Sequence, residues 1–153
     1  MQQKITPNLW FNGNAKEAVE YYISVFPDSK IISTAYYPKS ADEGLADFQK
    51  DLAGEVLAIN FELNGQGFTA INAGPEFTFN EAVSFAITCK DQDEIDYYWE
   101  KLSSEPEAEQ CGWCKDRFGL SWQVVPANMD ELMQRPGAFA HMMEMKKLTI
   151  ADF

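Results

Sequence analysis

Histidine is almost missing from this chain: one residue, His141, among 153. A histidine-built metal centre or a nucleophile–histidine pair has almost nothing to assemble from. Cysteine is scarce and odd in number, with Cys89, Cys111 and Cys114 only. An odd set of three reads as reduced thiols better than as a disulfide framework. Positive charge is short as well: 12 Lys and Arg stand against 24 Asp and Glu, a formal charge of -12. Such a surface repels phosphate backbones and anionic lipid, which excludes nucleic acid and membrane as expected partners. No run of 18 apolar residues exists to span a bilayer. The first residues, MQQKITPNLWF, lack a basic region, an apolar stretch and a small-residue cleavage site, so no signal peptide is expected. These absences together point to a cytoplasmic protein.

What is present is core material. Apolar residues make up 46% and aromatics 14%, enough for a single domain over 1–153. ITPNLWF reads as a strand. Asn14 follows as a helix cap, with Glu17 three residues on as in a capping box. Ala15, Ala18, Val19, Tyr22 and Phe26 then mark one apolar helix face. KIISTAYY is a second strand. Residues 38–54 are polar and pattern-poor, an excursion or loop. Asn64-Gly65-Gln66-Gly67 is a hairpin turn between two strands.

After Pro75 the pattern restarts. Shifted by 77 residues, Asn14 falls on Asp91, Glu17 on Glu94, Ala18 on Ile95 and Tyr22 on Trp99. ITPNLWF falls on AVSFAIT. Both halves read strand, helix, then three strands ending at Pro75 and Pro126. The unit is βαβββ, over 4–75 and again over 80–127, with a helical tail over 128–150. The fold class is α+β.

A paired βαβββ module resembles the vicinal oxygen chelate superfamily of glyoxalases, bleomycin-resistance proteins and extradiol dioxygenases. ITPNLWFNGNAKEAVEYYISVFPDSKI, GPEFTFNEAVSF and CGWCKDRFGLSWQVVP resemble its PhnB-like branch, whose members are labelled 3-demethylubiquinone 3-methyltransferase-like. The resemblance implies an open, curled mixed sheet forming a cup, with helices outside, a ligand site inside and a homodimer. It also implies metal-ligand positions on the first and last strands of each module, which fall near Pro7, Asn72, Ser84 and Gln123. Superfamily enzymes place His, Glu or Gln there. A proline, an asparagine, a serine and one glutamine do not make that set, so neither metal nor other cofactor is expected.

Strand alternation offers a second view of the cup. Val83, Phe85, Ile87 and Cys89 suit helix packing, as do Leu120, Trp122 and Val124. Ser84 and Gln123 then face inward, with Ser121 beside them. Pro7, Leu9 and Phe11 would follow in the first module, though this leaves polar Asn8 on the face meant for the core. The expected pocket is Pro7, Leu9, Asn72, Ser84, Trp113, Ser121 and Gln123. Phe77 and Phe79 stand near it, or else fill core or interface. Glu76, Glu81, Asp116 and Arg117 read as solvated linker and turn residues.

Cys111 and Cys114 form a C-x-x-C. A redox pair of that spacing sits at a helix start, where backbone N–H groups lower the thiol pKa. Here loop precedes and turn follows. Read along a strand, the two sulfurs point to opposite faces, so both are structural. The expected function is a metal-free small-molecule-binding protein that pairs as a homodimer. The alternatives are a metal-dependent lyase or isomerase, or the methyltransferase of the family label. A Met-rich tail (Met129, Met133, Met142, Met143, Met145) suits adaptable packing, against its own domain or a partner.

Overall fold

A helix forms over Ala15–Val25 (α1) because its apolar residues recur on one face: Ala15, Ala18, Val19, Tyr22 and Val25 are all buried. The computed structural model describes residues 3–153, and the chain divides into two units at Thr78/Phe79. In the first unit α1 follows β1 (Asn8–Phe11) and precedes β2 (Lys30–Tyr36), β3 (Val56–Leu63) and β4 (Gln66–Asn72). The strand order is β1-β4-β3-β2, with β1 parallel to β4 and the others antiparallel. Leu9, Phe11, Ile59, Phe61, Phe68 and Ala70 are buried, and α1 packs on β3 and β4. Each large side chain so enclosed contributes about 1.5–3 kcal/mol.

The cap of α1 differs from its expectation. Asn14 makes no side-chain cap bond. Asn72, at the end of β4, takes that role: its Oδ1 accepts from Ala15 N at 2.9 Å. A strand end thus satisfies a helix start 57 residues earlier, and Tyr37 donates its hydroxyl to the Asn72 carbonyl at 2.6 Å. Residues 38–54 contain two short 3-10 segments, Ala41–Glu43 and Asp47–Leu52.

The second unit repeats the order with β5 (Ser84–Cys89), α2 (Gln92–Leu102), β6 (Trp113–Lys115) and β7 (Ser121–Pro126). Its sheet order is β5-β7-β6, with β5 parallel to β7. The position that β2 holds in the first unit is reduced to a single bridge between Gln110 and Trp113. The acidic, proline-bearing stretch SSEPEAEQ, which forms a 3-10 turn at Pro106–Ala108, has no apolar alternation to hold a strand. Asp91 caps α2 as expected, accepting from Glu94 N at 2.9 Å. Two short tail helices follow, α3 (Met129–Leu132) and α4 (Ala138–Met143). Leu132, Ala138, Leu148 and Phe153 form the tail's own buried cluster. None of the described helices is long and apolar enough to cross a membrane.

Candidate functional site

Strand parity decides which side chains reach the open face of the second sheet. Ser84 pairs with Ser121, Ala86 with Gln123, and Trp113 with Gln123 from the other side. Phe85 and Ile87 lie opposite Trp122 and Val124, whose burial is nearly complete. The alternate residues therefore share the other face. There Gln123 Nε2 donates to Ser84 Oγ at 2.9 Å, a hydroxyl–amide pair with Trp113 beside it. Ser121 shares that face but is 1% exposed, beneath any surface a ligand would touch.

A cleft of about 620 Å³ opens on this face. Trp113, Gln123 and Val125 line it from the sheet. Gln110 and Cys111 line it from the loop before β6, and Met129, Met142 and Met143 from the tail. The tail is tied down by backbone bonds: Cys111 N donates to Met145 O and Gly112 N to Lys146 O, both at 2.8 Å. Gln92 at the start of α2 grips the tail further on, donating to Leu148 O at 3.0 Å and accepting from Ile150 N at 2.8 Å. Gly112 makes this closeness attainable. Its φ is +87°, and an added Cβ would lie 2.9 Å from Leu148 Cδ1 and 3.1 Å from the Val124 carbonyl oxygen.

The first unit answers the expectation differently. Pro7 is half-buried, and its carbonyl accepts from Thr69 N at 2.9 Å. Leu9 is 5% exposed in the core, and Asn72 at 6% is the helix cap already described. The structure thus brings Ser84, Ser121, Trp113 and Gln123 together in one unit and puts Leu9 and Asn72 on the face that packs under α1. Register explains Asn72, which pairs with Phe11 as Pro126, not Gln123, pairs with Cys89, and one residue explains Leu9. The helices of the two units align at a shift of 77, Ala15 on Gln92, whereas the strand ends align at 78, Phe11 on Cys89. Residues 12–14 join β1 to α1, but residues 90–91 join β5 to α2. A register displaced by one residue turns every side chain to the opposite face. The polar Asn8 on the supposed core face was the sequence's signal of that displacement.

The cysteines also resolve. All three are free. Cys89 and Cys114 are buried, and burial pushes both thiols up to about 12. Cys111 is not in a strand as expected but in a turn, with φ +49°. Its Sγ faces the cleft, 3.6 Å from Met143 Sδ. Sequence reasoning placed the tail methionines in packing and missed their position around this cleft. The run of Met142 and Met143 on a helix too short to bury both was the available sign.

Asp116 is no solvated turn residue. It is fully buried and accepts from Phe118 N, Leu120 N and Trp122 Nε1 at 2.8–3.1 Å. Glu81 pairs with Lys115, which holds its carboxyl below the usual range. Phe77 is exposed and meets Trp10 edge-to-face at 4.8 Å. Arg117 is exposed and Phe79 half-buried. His141 is exposed, its ring over Gly137. Among the described residues no three His, Cys, Asp or Glu side chains come together to hold a metal. The hydroxyl and amide at Ser84 and Gln123 do not fit a hard divalent ion, which prefers carboxylate or imidazole partners.

Comparisons with known proteins agree on the architecture. Residues 3–125 match the family described as 3-demethylubiquinone-9 3-methyltransferase. A PhnB protein from Bacillus cereus, described as a 3-demethylubiquinone-9 3-methyltransferase, is 36% identical over 82% of this chain and 100% of that one, with a TM-score of 0.64. A Pseudomonas aeruginosa protein is 19% identical over 82% of this chain and 98% of that one, TM-score 0.57. The fosfomycin resistance protein FosX from Mesorhizobium loti is 13% identical over 88% and 99%, TM-score 0.55. No curated protein matches.

Proposed function

Since the chain belongs to the PhnB-like 3-demethylubiquinone-9 3-methyltransferase family, of the glyoxalase/bleomycin-resistance fold, we propose that it is a small-molecule-binding protein that needs no divalent metal to hold its ligand. The observation that carries this reading is Gln123, held by its bond to Ser84, which lines a cleft of about 620 Å³ together with Trp113. That volume lies within the range of ordinary ligand pockets, and its lining follows the same rule of apolar walls with few polar groups. Trp113 offers a stacking face. The Gln123 amide has two N–H donors and spends one on Ser84. A flat, largely apolar molecule with one carbonyl or hydroxyl suits that arrangement.

The relative from Mesorhizobium loti is a resistance protein by description; sequestering a small toxic molecule is one use of such a cleft. The exposed Ile31, Ile32 and Tyr36 of β2 support the homodimer that the family resemblance implies. The methyl transfer in the family's label lacks a local counterpart at the one glycine-rich stretch: Asn64-Gly65 is the turn between antiparallel β3 and β4. A doubly wound cofactor site would need such a loop between a strand and a helix.

The test is calorimetric titration of the chelator-treated full chain with aromatic and quinone-like compounds. Binding without added metal is expected, and Gln123→Ala weakens it about tenfold by removing the hydrogen bond. The melting temperature of the ligand-free variant should not move. Binding that appears only after a divalent ion is added would overturn the reading.

A further inference from the structure

The tail that walls the cleft lies beyond residue 125, outside the stretch shared with the family, and what it brings is sulfur. Met129, Met142 and Met143 line the cleft with Cys111. We propose that this wall is a binding site for a soft monovalent metal ion, Cu(I), with Cys111 as the thiolate ligand and Met143 as the nearest thioether.

Four features of the molecule carry the proposal. The first is donor type. Thiolate and thioether sulfur select Cu(I) over harder ions, and the cleft lining holds neither carboxylate nor imidazole. The second is spacing. Sulfurs at about 2.3 Å from a shared tetrahedral ion stand about 3.8 Å apart. Cys111 Sγ and Met143 Sδ are already at 3.6 Å, so little needs to move. The third is charge. One thiolate neutralises one monovalent cation, and a neutral unit enters a mostly apolar cleft at low desolvation cost; a divalent ion would leave uncompensated charge there. The fourth is rigidity. Gln110 Nε2 donates to Met143 O at 2.8 Å, and Cys111 N to Met145 O at 2.8 Å, which fixes the loop sulfur against the helix sulfur.

Gln110 Nε2 also lies 3.2 Å from Cys111 Sγ, where it can donate to the thiolate once formed. Met142 and Met129 supply further thioethers from the same lining. Cys89 and Cys114, at 0% and 2% exposure, do not compete. Binding breaks the Cys111 S–H bond, forms one sulfur–metal bond to the Cys111 thiolate and one to the Met143 thioether, and releases one proton to solvent; no electron moves. Gln123 has no part in it, so the proposal stands independently of the ligand reading above.

The test uses the reduced full chain under anaerobic conditions. Cu(I) is supplied as its bicinchoninate complex, and Ag(I) serves as a redox-inert probe in calorimetry. One ion per chain and one released proton are expected. Cys111→Ser should weaken binding at least about 100-fold, at or beyond the top of the usual outer-shell penalty, and Met143→Leu, which loses a neutral thioether, about 10-fold. Met133→Leu, a tail methionine outside the cleft lining, should bind as the parent does. Three results would each overturn the proposal. One is tight binding retained in Cys111→Ser. Another is no effect of Met143→Leu, which would reduce the site to one accessible thiol. The third is uptake only as far-ultraviolet circular dichroism reports unfolding, which would assign the metal to Cys89 and Cys114.

Discussion

The two units share a pairing scheme and finish it by different means. In the first, β3 and β4 are joined by a two-residue turn whose residues Asn64 and Gly65 both have positive φ, +48° and +83°. That backbone geometry matches the twist of the flanking strands without side-chain help. In the second, β6 and β7 are joined through Asp116–Gly119, and a buried carboxylate gathers three donors to hold the loop. The first unit has a fourth strand, β2. The second has a bridge of one residue pair there, and a tail hydrogen-bonded to the loop before β6. The first unit spends its polar Asn72 inside, on a helix cap; the second leaves Gln123, bonded to Ser84, facing a cleft. What the repeat preserves is the parallel pairing of first and last strands. The edge and the turn differ between the units.

The largest test of that contrast lies in the turns. Asp116→Ala leaves two buried donors and one part-buried donor without their acceptor and should lower stability by about 3 kcal/mol or more. Asn64→Ala strains only a positive-φ position and should cost about 1 kcal/mol. Urea unfolding of both variants measures the difference; equal losses would erase the distinction between a side-chain turn and a backbone turn. A smaller effect is expected at the caps. Asn72→Ala removes the cap of α1 from across the sheet and Asp91→Ala the local cap of α2, each costing about 1–2 kcal/mol. Asn72→Ala should cost more, because the orphaned Ala15 N–H is fully buried.

The smallest effect concerns Glu81 and Lys115. Their pairing lowers the Glu81 carboxyl and raises the Lys115 amine, each with the hydrogen bond to the other as the first cause. The contribution of Glu81 is complete above its ordinary 4.5 and fades as pH falls through the lowered folded value. That of Lys115 is complete below 10.5 and fades as pH rises through its raised value. Glu81→Gln should therefore narrow its stability gap from the parent at both extremes of pH, and in high salt, because the Glu81 carboxylate is largely exposed to solvent. A gap independent of pH would assign Glu81 a role other than charge.

The helices, the Asn64-Gly65 hairpin and the second unit's parity were legible from the chain, because each rests on local pattern: the apolar face of Ile95, Tyr98 and Leu102, the capping Asp91, the alternation through Ser84 and Gln123. Leu9 and Asn72 were not. The facing of Leu9 depends on one extra residue between β1 and α1, so that the helix shift of 77 becomes 78 in the first strands, and that of Asn72 on the register of β4, where it pairs with Phe11 as Pro126 pairs with Cys89. Asp116 was hidden for a different reason. A charged residue in a turn sequence carries no mark of burial, and only the folding of Trp122 back over it supplies the third donor. Cys111 and Met143 are separated by 32 residues of chain, so their meeting is a property of the tail's path alone.

β2 has a further consequence. It is the terminal strand of its sheet and is exposed along its whole length, with Ile31, Ile32 and Tyr36 among the exposed apolar residues. A straight strand of that kind is a template on which other chains stack into fibrils. Its ladder with β3 is broken twice, between Ile31 and Ser33 and between Ala35 and Tyr36. The first break leaves Ile32 as an extra residue on β2 itself, so an incoming strand would find the row of N–H and C=O groups out of step there and could not extend the ladder by simple addition; the second break puts its extra residue, Leu57, on β3. The irregular edge lets the chain keep sticky side chains in the open while denying fibril growth a regular surface.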